Sequence, residues 1–365
     1  MPRVIGFDPG TVTLDLCGLE DGRVFLDRSF PTADAFAHPE TIAALILDAH
    51  RAAPLDLIAG PSGYGLPLIS ARDLTDVDLA LACLAAKGET GGIRGLRSFM
   101  RMLADVPAPV VFTPGVVHLP SVPAHRKVNR VDMGTADKVC AAVLGIHEQA
   151  TRRGCDEQDV SFILLELGGA FTAAIAVEDG RIVDGSGGTS GPLGLKAAGA
   201  LDGEVAFLAG TVSKQLLSTG GVASIGGSPD SPAEALVAPT TAQGRMAWDA
   251  YIESAMKAVA SMMISAPRSR EVLLSGRLAR IPAVRDEFVR RLATVIPNAP
   301  AHNLAGFTPV AKQAAQGAAL LADGLAGGRA TSLVNALGIR ESKGTVLDYL
   351  YVISAAAARV RLGLG

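Results

Sequence analysis

Cysteine is scarce: Cys17, Cys83, Cys140 and Cys155 are the only four in 365 residues, and none has CxxC spacing. A disulfide framework and a cysteine zinc site are therefore not expected, and reduced thiols in a cytoplasm are. Aromatic residues make up 4% of the chain, with a single tryptophan. Excess charge of either sign is absent too: 33 Lys and Arg against 36 Asp and Glu leave a net −3. That balance argues against nucleic-acid binding through a large basic surface. No apolar run approaches the roughly 18 residues of a membrane helix. Asp8 falls where a signal peptide would have its apolar core, so no export is expected. Neither GxGxxG nor GxxxxGK[ST] occurs, which removes the mechanics of Rossmann and P-loop sites. The six histidines form no pair with metal spacing, and His118, His125 and His147 read as surface or satisfied residues.

What the chain does have is glycine, 41 residues of it, in a background that is 49% hydrophobic. Such a chain can bury a large core, and its length suggests two domains. It also contains a repeat. Val4–Phe25 (VIGFDPGTVTLDLCGLEDGRVF) aligns without gaps to Phe162–Val183 (FILLELGGAFTAAIAVEDGRIV) at an offset of 158 residues. Ile5, Gly10, Glu20, Asp21, Gly22 and Arg23 recur as Ile163, Gly168, Glu178, Asp179, Gly180 and Arg181. A period this long means duplicated domains rather than a solenoid. Each copy reads as strand, glycine turn, strand, Asp-Gly hairpin, strand, because Asp-Gly supplies the positive φ a tight hairpin needs. Helical spacing follows over Pro39–Ala53, Asp137–Ala150, Arg245–Ser265, Ile281–Leu292 and Val310–Leu325, with strands at Leu55–Ala59 and Pro109–Phe112. Mixed sheets flanked by helices make this α/β.

A glycine turn after a strand, with hydroxyls beside it, suits a phosphate, since backbone N–H groups approach an anion only where no Cβ intervenes. In the first copy the candidates are Gly10, Thr11 and Thr13, and in the second Gly168, Gly169 and Thr172. The acids at the strand ends, Asp8 and Glu166, cannot bind phosphate, but next to one they make sense as Mg²⁺ partners through water. The alternative is a pair of plain hairpins. A third turn, Leu274-Ser275-Gly276-Arg277, could hold an adenosine with Gly276 and Arg277 against it, or could simply connect a strand to a helix.

These three motifs, in this order, resemble the superfamily of acetate and sugar kinases, heat-shock chaperones and actin. Asp8-Pro9-Gly10-Thr11 is similar to its first phosphate loop, Glu166 to Thr172 to its second, and Leu274-Ser275-Gly276 to its adenosine motif. Asp132-Met133-Gly134-Thr135-Ala136-Asp137 and Gly180-Arg181-Ile182-Val183-Asp184 resemble the connector and strand of the acetate/butyrate kinase branch, closest to the family labelled "predicted butyrate kinases". The resemblance implies duplicated ribonuclease H-like (actin-like ATPase) domains, each a mixed five-stranded sheet with flanking helices, over residues 1–130 and 131–365, with the last helix returning to the first domain. ATP and Mg²⁺ would lie in a cleft between them. It further implies a cytoplasmic homodimer acting on a small molecule, with no nucleic acid or membrane partner.

Where that branch has histidines in the connector and loop, this chain has Asp132, Asp137 and Glu166. Positive charge is thereby removed where a phosphoryl group in flight needs it. Lys138, Arg130 or Arg126 could compensate. Asp132 or Asp137 could orient an acceptor, or cap the following helix. Asp184 resembles a third Mg²⁺-side carboxylate beside Asp8 and Glu166. Gly60–Pro67, with Tyr64, could line a substrate pocket, and Arg94, Arg97 and Arg101 could reach an anion or form a solvated face. The expected activity is an ATP- and Mg²⁺-dependent small-molecule kinase acting on a carboxylate such as butyrate or on a hydroxyl. Two alternatives stay open: an ATP-driven condensing enzyme, and a nucleotide-switched binding protein.

Overall fold

The computed structural model describes residues 1–85, 95–227, 233–296 and 300–364. Arg94 and the Gly91-Gly92 pair lie outside the described residues. The chain divides into two compact units: unit 1 comprises Met1–Val131, Thr135–Gln158 and Ala305–Gly365, and unit 2 comprises Asp132–Gly134 and Asp159–Leu304.

Unit 1 is built on β1 (Arg3–Pro9), β2 (Thr13–Glu20), β3 (Arg23–Pro31), β4 (Leu57–Pro61), β5 (Ile69–Ser70) and β6 (Val110–Thr113), in the order β3-β2-β1-β4-β6-β5. The sheet is mixed: β1, β4 and β6 run parallel, while β2 and β5 pair antiparallel with their neighbours. It has six strands rather than the expected five, because two residues, Ile69 and Ser70, add an edge beside β6. Phe7 anchors one face, edge-on to Phe99 (5.8 Å) and Phe112 (6.1 Å).

The chain leaves unit 1 after Val131 and returns to it twice. Helix Gln313–Leu325 belongs to unit 1, where its small residues let it lie directly on β1 and on helix Ala136–Arg153. A Cβ at Gly6 would fall 2.1 Å from the Ala319 nitrogen, and one at Gly317 would fall 1.8 Å from the Cys140 carbonyl oxygen. Backbones that close tolerate only glycine.

Unit 2 is built on β7 (Phe162–Leu167), β8 (Thr172–Glu178), β9 (Arg181–Ser186), β10 (Val272–Ser275) and β11 (Ala301–Asn303), in the order β11-β10-β7-β8-β9. Helix Ala242–Ser265 buries Trp248, Tyr251, Ile252, Ala255, Val259 and Met262 against it. Tyr251 in turn meets Phe288 of helix Pro282–Val295 edge-on at 5.6 Å.

The repeat is visible at the level of single hydrogen bonds. Both Asp-Gly turns place two residues at positive φ: Asp21 (52°) and Gly22 (73°), Asp179 (50°) and Gly180 (67°). Both glycine turns close the same way, Gly10 N to the Thr13 carbonyl and Gly168 N to the Phe171 carbonyl, each 3.0 Å. Each second hairpin carries a bulge, between Gly18 and Leu19 and between Ala176 and Val177, again 158 residues apart.

Candidate functional site

In unit 1 the parallel strands end level: the pairing that sets Gly6 beside Ala59 and Pro61 beside Thr113 brings Asp8, Pro61 and Thr113 to one edge. Strand ends of this kind are where open α/β sheets bind ligands. Asp8 is 5% exposed. Burial pushes its carboxyl up to about 6, opposed by Lys312 and reinforced by Asp137 and Asp15. The Lys312 ammonium donates to Asp8 Oδ2 (3.2 Å) and the Thr13 carbonyl (3.1 Å), and lies 3.1 Å from Asp15 Oδ2. The Thr13 hydroxyl, expected to face a phosphate, donates instead to Asp15 Oδ2 at 2.7 Å. Thr11 is exposed in the turn.

Asp137 sits in the first turn of helix Ala136–Arg153, accepting from the Thr135 hydroxyl and from Lys138 Nζ at 2.6 Å. Burial works against its ionisation, but Lys138 and the Thr135 hydroxyl outweigh burial and hold it below the usual carboxylate range. Of the cations considered as compensation, Lys138 is thus committed to Asp137. Loop Gly60–Pro67 is held from within: the buried Ser62 hydroxyl donates to the Thr113 carbonyl (2.6 Å) and accepts from Leu66 N (2.9 Å). Arg97 reaches the Ala85 carbonyl and Arg101 pairs with Asp76, so neither points to an anion site.

In unit 2 the β7–β10 pairing sets Ser275 beside Glu166, which brings the second and third glycine turns together. Gly276 has φ +88°, and a Cβ there would fall 2.5 Å from the Leu167 carbonyl oxygen and 3.1 Å from Glu166 Cγ. Gly168 and Gly169 are half-buried beside it and Arg277 is exposed. Thr172 does not join them: its side chain is fully buried at the start of β8, so it cannot reach a phosphate.

Asp132 also has a role other than the expected one. Its carboxylate accepts from Thr189 N (2.9 Å), the Thr189 hydroxyl (2.8 Å) and Gly134 N (3.3 Å). Its carbonyl accepts from Gly187 N and the Ser190 hydroxyl. Oδ2 is spent on holding Thr189 in loop Gly187–Ser190 and Oδ1 accepts from Gly134 N in its own turn, so the carboxylate positions backbone on both sides.

A divalent cation was expected at Asp8, Glu166 and Asp184. Asp8 is already paired with an ammonium. Asp184 accepts from Gly185 N (2.8 Å) and the Ser265 hydroxyl (2.6 Å). It lies opposite Ala176, whereas Glu166 lies opposite Ala173, three rungs and a strand away, on the order of 10 Å along the sheet. No group of three or more His, Cys, Asp or Glu among the described residues could hold a metal. Asp8 and Asp184 therefore do not fit the ion. Glu166 by itself suits only a hydrated ion brought in by a phosphate.

Two lysines escaped the sequence reading. Lys312 is a lone cation ahead of an apolar helix, and only the fold carries it to Asp8. Lys196 is exposed, while its N–H donates to the Ala170 carbonyl (3.0 Å) inside the second glycine turn and its carbonyl accepts from Gly221 N (2.9 Å).

A family model described as "Protein of unknown function (DUF1464)" matches residues 6–352. The chain belongs to this family. No curated protein matches it in sequence. Among solved structures, a propionate kinase from Francisella tularensis subsp. tularensis SCHU S4 aligns with a TM-score of 0.61 at 14% identity, over 87% of this chain and 99% of that one. Porphyromonas gingivalis acetate kinase gives 0.59 at 12% identity, over 87% and 98%. Acetate kinase from Entamoeba histolytica gives 0.57 at 13%, over 80% and 87%. The fold is that of the acetate and propionate kinases, two actin-like ATPase domains with mixed sheets and flanking helices. No helix among the described residues is long and apolar enough to cross a membrane.

Proposed function

We propose that the protein is an ATP-dependent small-molecule kinase in which unit 2 takes the nucleotide and unit 1 the acceptor. The observation that carries this reading is the β7–β10 register, which sets the Gly168–Gly169 turn beside the Gly276 turn at the ends of adjacent parallel strands. The phosphates lie against Gly168 and Gly169, the adenosine against Gly276 and Arg277, and Lys196 supplies a cation at the same turn. Magnesium arriving with the triphosphate would face Glu166 through water and would neutralise phosphate charge.

The acceptor end favours a hydroxyl over a short-chain carboxylate. Asp8, Asp15 and Asp137 outnumber Lys312 and Lys138 at this edge. An incoming carboxylate would meet net negative charge. Calorimetry with ATP and ADP tests the nucleotide half. ADP release measured against matched panels of alcohols, sugars and short-chain acids tests the acceptor half. Stimulation by hydroxyl compounds is expected; stimulation by acids alone would reverse the acceptor assignment, and no heat with adenine nucleotide at millimolar concentration would end the proposal.

A further inference from the structure

The end of β1 was expected to hold a divalent cation, and the structure puts a lysine there. The Lys312 ammonium has three protons, and three oxygens surround it: Asp8 Oδ2 at 3.2 Å, Asp15 Oδ2 at 3.1 Å and the Thr13 carbonyl at 3.1 Å. The cage is made for it. The Thr13 hydroxyl donates to the same Asp15 oxygen at 2.7 Å. A Cβ on Gly10 would fall 2.3 Å from Lys312 Nζ, so the ammonium lies against the bare glycine of the turn. Lys312 immediately precedes helix Gln313–Leu325, which is seated on β1 at Gly6, so the strand–helix contact sets where the ammonium goes.

Two carboxylates and a carbonyl are the hard oxygen set that Mg²⁺ and Mn²⁺ prefer. We propose that Lys312 is a built-in cation standing where such an ion would bind, so that unit 1 carries its positive charge at the end of β1 covalently and needs no metal there. The lysine side chain is 27% exposed. The inference builds on reading this edge as a ligand site, but it concerns metal occupancy and survives if the chain proves inactive as a kinase.

The test is Mn²⁺ binding, followed by electron paramagnetic resonance on chelator-treated full-length protein without nucleotide. Wild type and Asp8→Asn are expected to bind Mn²⁺ equally weakly. Lys312→Ala, which uncovers the three oxygens, is expected to gain a single site about tenfold or more tighter than anything in wild type. That site should vanish in Lys312→Ala/Asp8→Asn, and Mn²⁺ should raise the melting temperature of Lys312→Ala but not of wild type. Wild-type Mn²⁺ binding that Asp8→Asn abolishes would overturn the proposal, and that comparison needs no lysine variant to fold. A folded Lys312→Ala protein, by circular dichroism, with no gain in Mn²⁺ affinity would overturn it as well.

Discussion

Two buried groups in unit 1 titrate in the same range and pull stability in opposite directions. Asp8 is raised by burial from 3.8 to about 6, so the folded state holds its proton more tightly than the unfolded chain. Its contribution to stability therefore falls as pH rises from about 4 to about 6, by roughly 2–4 kcal/mol. His118 is 2% exposed and neither ring nitrogen is hydrogen-bonded. Burial, aided by the Lys127 charge, lowers it from 6.5 to about 4. Here the unfolded chain binds the proton more tightly, so stability rises over nearly the same interval, by a similar amount. The two slopes oppose each other in wild type. Asp8→Asn should expose a loss of stability on acidification from pH 6.5 to 4, and His118→Gln the reverse; urea midpoints across that range read both. Lys196→Ala should weaken ATP binding about tenfold in calorimetry and leave the melting temperature nearly unchanged, since its side chain is exposed and makes no hydrogen bond or ion pair among the described residues. Lys312 could not be foreseen from sequence, because its partners lie about 300 positions away, whereas Asp8 and Glu166 announced themselves by ending apolar runs before glycine.

At the level of strands and helices, what is locally encoded was legible and what is encoded by contact was not. The Asp-Gly turns, the duplicated meander and the five long helices follow from chemistry within a few residues of each position. The two-residue edge strand Ile69–Ser70 has no periodicity to read, and Thr172 looked like a phosphate hydroxyl because nothing in its neighbourhood reveals that its side chain is buried in the unit 2 core. Gly6 looked like an ordinary strand residue, yet it is where helix Gln313–Leu325 lands. Gly6→Val should destabilise by about 3 kcal/mol or more in chemical denaturation, because the obstacle is backbone that has nowhere to go. Gly22→Val should cost less, roughly 1–2 kcal/mol, since its surroundings are open and only its φ of 73° is violated. The ordering of those two variants separates packing from backbone strain.

Across the whole molecule, the chain passes between its units four times, at 131/132, 134/135, 158/159 and 304/305. The sequence reading returned only the last helix to the first domain after residue 130, because periodicity identifies helices but not the sheet each one covers. Unit 1 depends on residues 305–365 for the helix on β1 and for Lys312. A chain ending at residue 304 should lose the cooperative unfolding transition of unit 1 and become protease-sensitive between residues 1 and 131, while residues 159–304 stay resistant. Equal resistance in both regions would contradict the packing at Gly6.

That late helix also bears on how the protein is made. A growing polypeptide emerges from the ribosome N-terminus first, and domains generally fold in that order. Here residues 159–304 have their five strands before helix Gln313–Leu325 has been synthesised. The opening β-meander must therefore wait, its face toward helix Gln313–Leu325 uncovered, until that helix has emerged. Chaperone demand should accordingly fall on residues 1–131 rather than on residues 159–304.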